Sequence, residues 1–258
     1  MNAIKSTWNY AVITGASSGI GYEFAKQLAV LGTNLLLISR KRNELMNIKF
    51  EFETKYGVVV DFLDVDLSSY DSYQKIEEYI TTNDLKPDLL INNAGIGAFG
   101  EFLNTEIDKE LEIIAVNINS LVFLTKTFLR LMLSNNSGTI LNVSSTMAFR
   151  KSRYWAVYSS TKSFVLSFSR NLSLEYENSD VIISVLCPGK TQSSFDSNAK
   201  VNLNYNTTKA SSSKVVAYTL SQLMKKKTLI IPGLNNKIKY YIFKYLPEFI
   251  TNSIIRGI

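Results

Sequence analysis

Short runs rich in leucine and β-branched residues alternate along this chain with longer segments of helical period. That alternation predicts a parallel sheet with helices on both faces. The runs place seven strands, at Tyr10–Thr14, Asn34–Ser39, Val58–Asp64, Leu89–Asn92, Thr139–Val143, Val181–Leu186 and Leu229–Ile231. Helices are expected to begin near Gly19, Lys41, Ser69, Glu106, Tyr154 and Ser212, and the segment from Glu106 to about Leu133 is long enough for one bent helix or two. Between about residues 190 and 213 the period gives way to a polar stretch, too long for an ordinary connection. It follows a strand at its carboxyl end, where open α/β sheets bind ligands, so a substrate lid is expected there. No internal repeat or low-complexity linker interrupts the pattern.

Composition narrows the class. The 258 residues, 46% of them hydrophobic, suit one α/β domain over 1–258 with one sizeable core. No apolar run approaches the ~20 residues of a membrane-spanning helix, and the N-terminus lacks the apolar stretch of a secretory signal, so a cytoplasmic protein is expected. The single cysteine, Cys187, excludes an internal disulfide and a cysteine-rich metal site, and at the end of an apolar strand it reads as an inert core residue. The absence of histidine tells more: it removes Ser-His-Asp hydrolysis, Cys-His chemistry and most zinc catalysis, and leaves acid-base work to other side chains. A net charge of +6 raises the question of nucleic acid, but the cations fall in short scattered groups (Arg40 to Arg42, Arg150 with Lys151 and Arg153, Lys225 to Lys227) and form no stripe. Neither a nucleic-acid partner nor a metal is expected, and Lys225 to Lys227 read as cations at the negative end of the helix that begins near Ser212.

Gly15, Gly19 and Gly21, in the string TGASSGIG from Thr14, fall between a strand and a helix. Small residues there let the backbone turn tightly and approach a pyrophosphate at the positive helix N-terminus. A glycine-rich turn alone is a weak signal, but directly after the first strand of a βα pattern it points to a dinucleotide. With its G-x-x-x-G-x-G spacing the chain resembles the short-chain dehydrogenase/reductase family. The resemblance implies a Rossmann-type, doubly wound, seven-stranded parallel sheet, with cofactor contacts from Gly15, Ser17, Ser18, Gly19, Ile20 and Gly21.

The end of the second strand selects the dinucleotide, because an acid there would accept the ribose hydroxyls of NAD and repel a 2′-phosphate. This chain reads Ile38-Ser39-Arg40-Lys41-Arg42, with no acid. Arg40 can pair with a phosphate in two-pronged fashion, with Ser17 as a second donor, so NADPH is expected over NADH. The alternative is that Arg40 to Arg42 only open a solvated helix. By resemblance, Asp66 and Leu67 contact adenine, and the small residues of Asn93-Ala94-Gly95 let the backbone approach the ribose. For Asn92 the alternative is a purely structural tie between strands. Pro188, Gly189, Thr191 and Ser193 are expected to fix the nicotinamide carboxamide; the family more often has threonine at 193, and serine keeps the hydroxyl.

Reducing a ketone needs a hydride on carbon and a proton on oxygen, and without histidine the proton must come from another group. Tyrosine titrates near ~10, too high to serve unaided. Lys162 lies four residues after Tyr158 on the same helix face, where its ammonium favours the phenolate. Y-x-x-x-K is common by chance, but its context here is not. Ser145 lies thirteen residues upstream of the tyrosine, where its hydroxyl can hydrogen-bond a carbonyl oxygen from the other side. Ser144 is its rival, and the family's spacing selects Ser145. Asn117 matches the family's helix asparagine that helps hold a water linking the lysine to solvent, with Asn119 as its rival. By resemblance, then, Tyr158 donates the proton, Lys162 lowers its pKa and binds the nicotinamide ribose, Ser145 polarises the carbonyl and Asn117 supports the relay.

Stretches such as NNAGIGAFGEF and AVYSSTKSFVLSFS look most like a bacterial branch related to ketoacyl reductases and hydroxysteroid dehydrogenases. Pocket candidates Phe99, Met147, Phe149, Tyr154 and Phe195 imply an apolar carbonyl substrate, and the resemblance implies one that is acyl or sterol-like. The branch implies a homodimer or homotetramer through Glu106–Leu133 and Tyr154–Tyr176. The tail 233–258 interleaves aromatics and isoleucines with Lys237, Lys239, Lys244 and Arg256. It is read as covering the pocket or a partner subunit ahead of lying on an anionic membrane. Two rivals from other classes remain: a silent redox sensor on this fold would be expected to lack one of Ser145, Tyr158 and Lys162, and a structural or interaction protein would have no use for an NADPH pocket. A nucleotide-sugar epimerase, a closer rival, would need a larger domain after the sheet.

Overall fold

The computed structural model describes residues 7–193, 195–199, 209–247 and 250. Strands β1 (Tyr10–Thr14), β2 (Asn34–Ser39), β3 (Val60–Asp64), β4 (Leu89–Asn92), β5 (Gly138–Val143), β6 (Val181–Leu186) and β7 (Leu229–Ile230) form one sheet in the order β3-β2-β1-β4-β5-β6-β7, with every neighbouring pair parallel. The helices are α1 (Gly19–Val30), α2 (Arg42–Tyr56), α3 (Tyr70–Thr82), α4 (Ile107–Ile114), α5 (Ser120–Ser134), α6 (Ala156–Glu175), α7 (Phe195–Asn198), α8 (Ser212–Leu223) and α9 (Leu234–Tyr245). The expected doubly wound parallel sheet is therefore present, and its order reverses between β1 and β4, where such sheets open a crevice.

The strands are apolar throughout because both of their faces are covered. Ala11, Ile13, Leu35, Leu37, Leu89, Ile91 and Leu141 belong to the core beneath α1, α2 and α8, whereas Val12, Leu36, Ile38, Leu90 and Ile140 belong to the core beneath α3 and α5. Successive side chains of a strand point to opposite faces, so one run of leucines and isoleucines feeds two cores. A third cluster joins Leu121 and Val165 to Val185, Cys187, Ile231 and Tyr240, and thereby fastens α9 to the body.

Some boundaries differ from expectation. β3 begins at Val60 and not at Val58, because it is an edge strand and the Val59 amide donates to Asn34 Oδ1 at 2.9 Å. Helix α6 begins at Ala156 and not at Tyr154, which sits in a left-handed turn at φ 66. The segment read as one bent helix or two is continuous: α4 and α5 are joined by a π-helical stretch over Ala115–Asn119. Taken whole, Ile107–Ser134 is long and apolar enough by composition to cross a membrane, contrary to the sequence expectation, and half of that apolar stretch is buried within the fold. Of the expected lid, the described residues include α7 and a bridge between Thr191 and Ala210; residues 194 and 200–208 lie outside the described residues.

Candidate active site

The loops after β1, β4 and β6 converge at the crevice. Gly15 and Gly19 hold φ values of 66 and 57, a left-handed conformation that a side chain would strain. A Cβ on Gly15 would lie 2.9 Å from Asn93 Nδ2, one on Gly19 would lie 2.9 Å from Ser193 Cβ, and one on Gly21 would collide with the Gly15 carbonyl. Thr14 and Asn93 set this closeness. Thr14 Oγ1 accepts from the Asn93 and Ala94 amides at 3.0 and 2.9 Å, and Asn93 Nδ2 donates to the Thr14 carbonyl at 3.0 Å. Ser18 caps α1 in extended conformation with no side-chain capping bond. The outcome is a bare glycine cradle at a helix N-terminus, which fits a dinucleotide pyrophosphate.

At the β2 end Ser39 donates to Ser17 Oγ at 2.8 Å, which leaves the Ser17 proton to donate elsewhere. Arg40 Nη1 lies 3.1 Å from Glu112 Oε1 and 3.6 Å from Asp66 Oδ2. The guanidinium is thus stretched across the crevice mouth from β2 to α4, with its second edge available to a phosphate. Asp66 Oδ1 also accepts from the Ser68 amide and hydroxyl, both at 2.9 Å. Partial burial pushes this carboxyl up, but the Ser68 bonds and the Arg40 charge outweigh it and hold Asp66 below its ordinary value. Arg42, by contrast, pairs with Asp64 at 3.0 Å and takes no part in the crevice. Leu67 is buried against the α3 core, and Ile20 packs partly into the core beneath α1.

Tyr158 and Lys162 share one face of α6 and are both buried. Lys162 Nζ donates to the Val143 carbonyl at 2.9 Å and stands 5.9 Å from the Tyr158 ring centroid. Burial lowers its ammonium from 10.5 to about 8. Gly95 makes room for it, since a Cβ there would lie 3.1 Å from Nζ and 3.3 Å from Asn117 Oδ1. The two serines separate cleanly. Ser144 is spent on structure, its hydroxyl donating to the Lys162 carbonyl at 2.7 Å, whereas Ser145 Oγ accepts from the Met147 amide at 3.1 Å and keeps its proton to give. The asparagines separate as well: Asn119 is exposed, and Asn117 is buried in the π-helical stretch. Its side chain accepts from the Ile96 amide at 2.9 Å and donates to the Ile96 carbonyl at 3.0 Å and Thr161 Oγ1 at 2.9 Å. Asn117 therefore ties the β4 loop to α6 beside Lys162. Asn92 takes its structural alternative, donating to Thr125 Oγ1 and Asn142 Oδ1 at 3.0 and 2.9 Å.

Aromatic rings wall the space next to Tyr158. Phe195 lies 5.0 Å from its ring and stacks on Trp155 at 6.1 Å, and Phe99 meets Tyr154 and Trp155, each at 5.5 Å. Gly97 sits under three of these rings, where a Cβ would come within 3.0 to 3.2 Å of Phe195, Tyr158 and Trp155. The strained Tyr154 backbone is held by the Gly100 amide, which donates to its carbonyl at 3.0 Å. One expected pocket residue is elsewhere: Phe149 turns away and packs against Tyr240 of α9 at 4.8 Å. Trp155 and Glu112 were missed. Trp155 follows Tyr154 and its apolar bulk marks it in the sequence as a wall residue, whereas nothing local marks Glu112, which reaches Arg40 across 72 positions of sequence. Cys187 is buried as expected, and burial pushes its thiol up to about 12.

Known proteins are similar to this chain. The profile of the short chain dehydrogenase family matches residues 9–204. Type 3 17-beta-hydroxysteroid dehydrogenase of Mus musculus is 38% identical over 188 residues, covering 72% of this chain and 61% of that protein. Very-long-chain 3-oxoacyl-CoA reductase-B of Danio rerio is 36% identical over 188 residues, covering 71% of this chain and 60% of that one. The chain spans about three fifths of the length of these curated relatives. A short-chain dehydrogenase from Sphingobium yanoikuyae, solved in complex with NADPH, aligns with a TM-score of 0.86 at 25% identity over 97% of this chain and 96% of that chain.

Proposed function

The chain belongs to the short-chain dehydrogenase family, and we propose that it is an NADPH-dependent reductase of an apolar ketone or aldehyde. The observation that carries this reading is the meeting of the glycine cradle with Ser145, Tyr158 and buried Lys162 at one edge of the sheet. One sheet bears every described motif, in keeping with a single domain over 1–258 whose substrate lid spans about 190–213.

When bound, the reduced nicotinamide supplies the hydride. The chain's residues manage the proton. Tyr158 gives its hydroxyl proton to the substrate oxygen, and Ser145 donates a hydrogen bond to the same oxygen and holds the carbonyl against it. Lys162 stabilises the phenolate left behind; with an ammonium near 8 it is still charged at neutral pH, yet it surrenders a proton readily to restore the tyrosine. Asn117 keeps the Ile96 loop and α6 in register, so that Lys162 stays over Gly95. Arg40, presented by Glu112, and the remaining hydroxyl proton of Ser17 form a site for the adenosine 2′-phosphate.

The aromatic walls at Phe99, Trp155 and Phe195 support an apolar substrate, and the names of the relatives favour an acyl thioester or a sterol. Consumption of NADPH and of NADH with a panel of ketones, aldehydes and 3-ketoacyl thioesters tests the assignment. Tyr158→Phe should abolish reduction, by roughly 100-fold or more, and leave NADPH binding within about two-fold. Activity retained within a few-fold would show that another group gives the proton, and a preference for NADH would remove the role given to Arg40.

A further inference from the structure

Helix α9 turns one side to the protein and an apolar stripe to solvent. Tyr240 is buried against Phe149, and Asn236, one turn earlier on the same side, packs on Gly189, where a Cβ would lie 2.6 Å from Asn236 Nδ2. This face attaches the helix beside the loop after β6, next to the crevice. Leu234, Ile238, Tyr241 and Tyr245 recur at helical spacing on the other side, and all four are exposed, Leu234 by 73% and Tyr245 by 67%. Lysines flank this stripe: Lys244 stands 5.0 Å over the Tyr245 ring and Lys237 lies 5.3 Å from the Tyr218 ring, while Lys239 is exposed. The helix has no acidic residue. The turn that it packs on runs directly into exposed Arg150, Lys151 and Arg153, which add cations near the same end of the molecule.

We propose that the exposed face of α9 docks this chain on an anionic lipid bilayer. An aliphatic and tyrosine stripe edged by lysines, on a helix lying along the protein surface, is the composition that settles at the boundary between headgroups and acyl chains. Tyr241 and Tyr245, stacked at 6.2 Å, present apolar rings with polar tips, as aromatic residues do at that boundary. A second copy of this chain is a poorer occupant. A two-fold contact through α9 would bring two lysine-edged stripes together with no acid on either helix to pair with them. An anionic surface, by contrast, neutralises those cations. Docked this way, the protein would hold its α9 side, and the loop after β6 beside it, close to the membrane, from which an apolar carbonyl compound could enter. The docking does not depend on the reductase reading.

The test is co-sedimentation of the full chain with vesicles of phosphatidylcholine, alone or with phosphatidylglycerol. Binding should rise at least five-fold with the anionic lipid and fall by a similar factor in high salt. The double variant Ile238→Asp/Tyr241→Asp should lose at least ten-fold in bound fraction, with thermal stability and NADPH-dependent reduction of a soluble carbonyl unchanged. Lys237→Gln/Lys244→Gln should lose binding to anionic vesicles only. Equal recovery with both vesicle types, or wild-type binding by the aspartate variant, would overturn the proposal. So would an aspartate variant whose only change is a smaller mass in solution, because the stripe would then be a contact between copies.

Discussion

Replacing Lys162 with methionine should make this protein inactive and more stable at once. The lysine is 4% exposed, and burial moves its ammonium from 10.5 to about 8. Between those two values the unfolded chain binds more protons than the folded one, so this group makes stability rise with pH across that window. Below it, the folded protein carries the full cost of a buried charge. The cost is roughly 3 kcal/mol at about pH 7, and under about 1 kcal/mol at about pH 10, where most of the group is neutral in the folded state. Methionine removes the charge while keeping a flexible apolar stem of similar length. It forfeits the bond from Nζ to the Val143 carbonyl at 2.9 Å, worth about 1 kcal/mol. The variant should therefore gain about 2 kcal/mol near pH 7 and lose that advantage near pH 10. Urea denaturation of cofactor-free wild type and variant at the two pH values measures the difference, and a reduction assay reads the loss of activity. A variant less stable near pH 7, or a difference that does not change with pH, would refute the account of Lys162 as an uncompensated buried cation.

Arg40→Ala should raise the KM for NADPH by about ten- to a hundred-fold through loss of charge-assisted bonds to the 2′-phosphate, with NADH use nearly unchanged. Glu112→Gln should raise the NADPH KM by a smaller factor, since it frees Arg40 from its anchor without removing it; steady-state kinetics with both cofactors checks the pair, and parallel losses for NADH would count against the phosphate site. Gly95→Ala should lower kcat without unfolding the protein, because its Cβ would press on Lys162 Nζ and Asn117 Oδ1 at 3.1 and 3.3 Å; an unchanged kcat would mean that the position of the ammonium is not critical.

Much of this fold was legible one segment at a time. Strands β1, β2, β4 and β6 have the boundaries that their apolar runs imply, because a strand buried on both faces is apolar at nearly every position and stands out from its neighbours. The glycine turn and the Tyr158 and Lys162 pair were equally plain, since each depends on spacing within one loop or one helix. Family spacing separates Ser145 from Ser144, and the match to the family's helix asparagine singles out Asn117, but the physical difference lies in partners far along the chain. Ser144 is taken by the Lys162 carbonyl, and Asn117 by Ile96 and Thr161.

By itself the sequence determined the order of elements, the kind of chemistry that a chain without histidine can do, and the local cradle for a dinucleotide. Those properties follow from backbone preference and short-range spacing. Only the tertiary structure decided that Glu112 and Asp66 hold Arg40 across the crevice, that Gly95 leaves room for a buried ammonium, and that Phe149 leaves the pocket to anchor α9. It also decided which side of α9 the protein covers and which it leaves to solvent. The reason is physical: burial and the partners of a side chain are set by segments that meet only when the sheet closes, and no local pattern records which ones they will be.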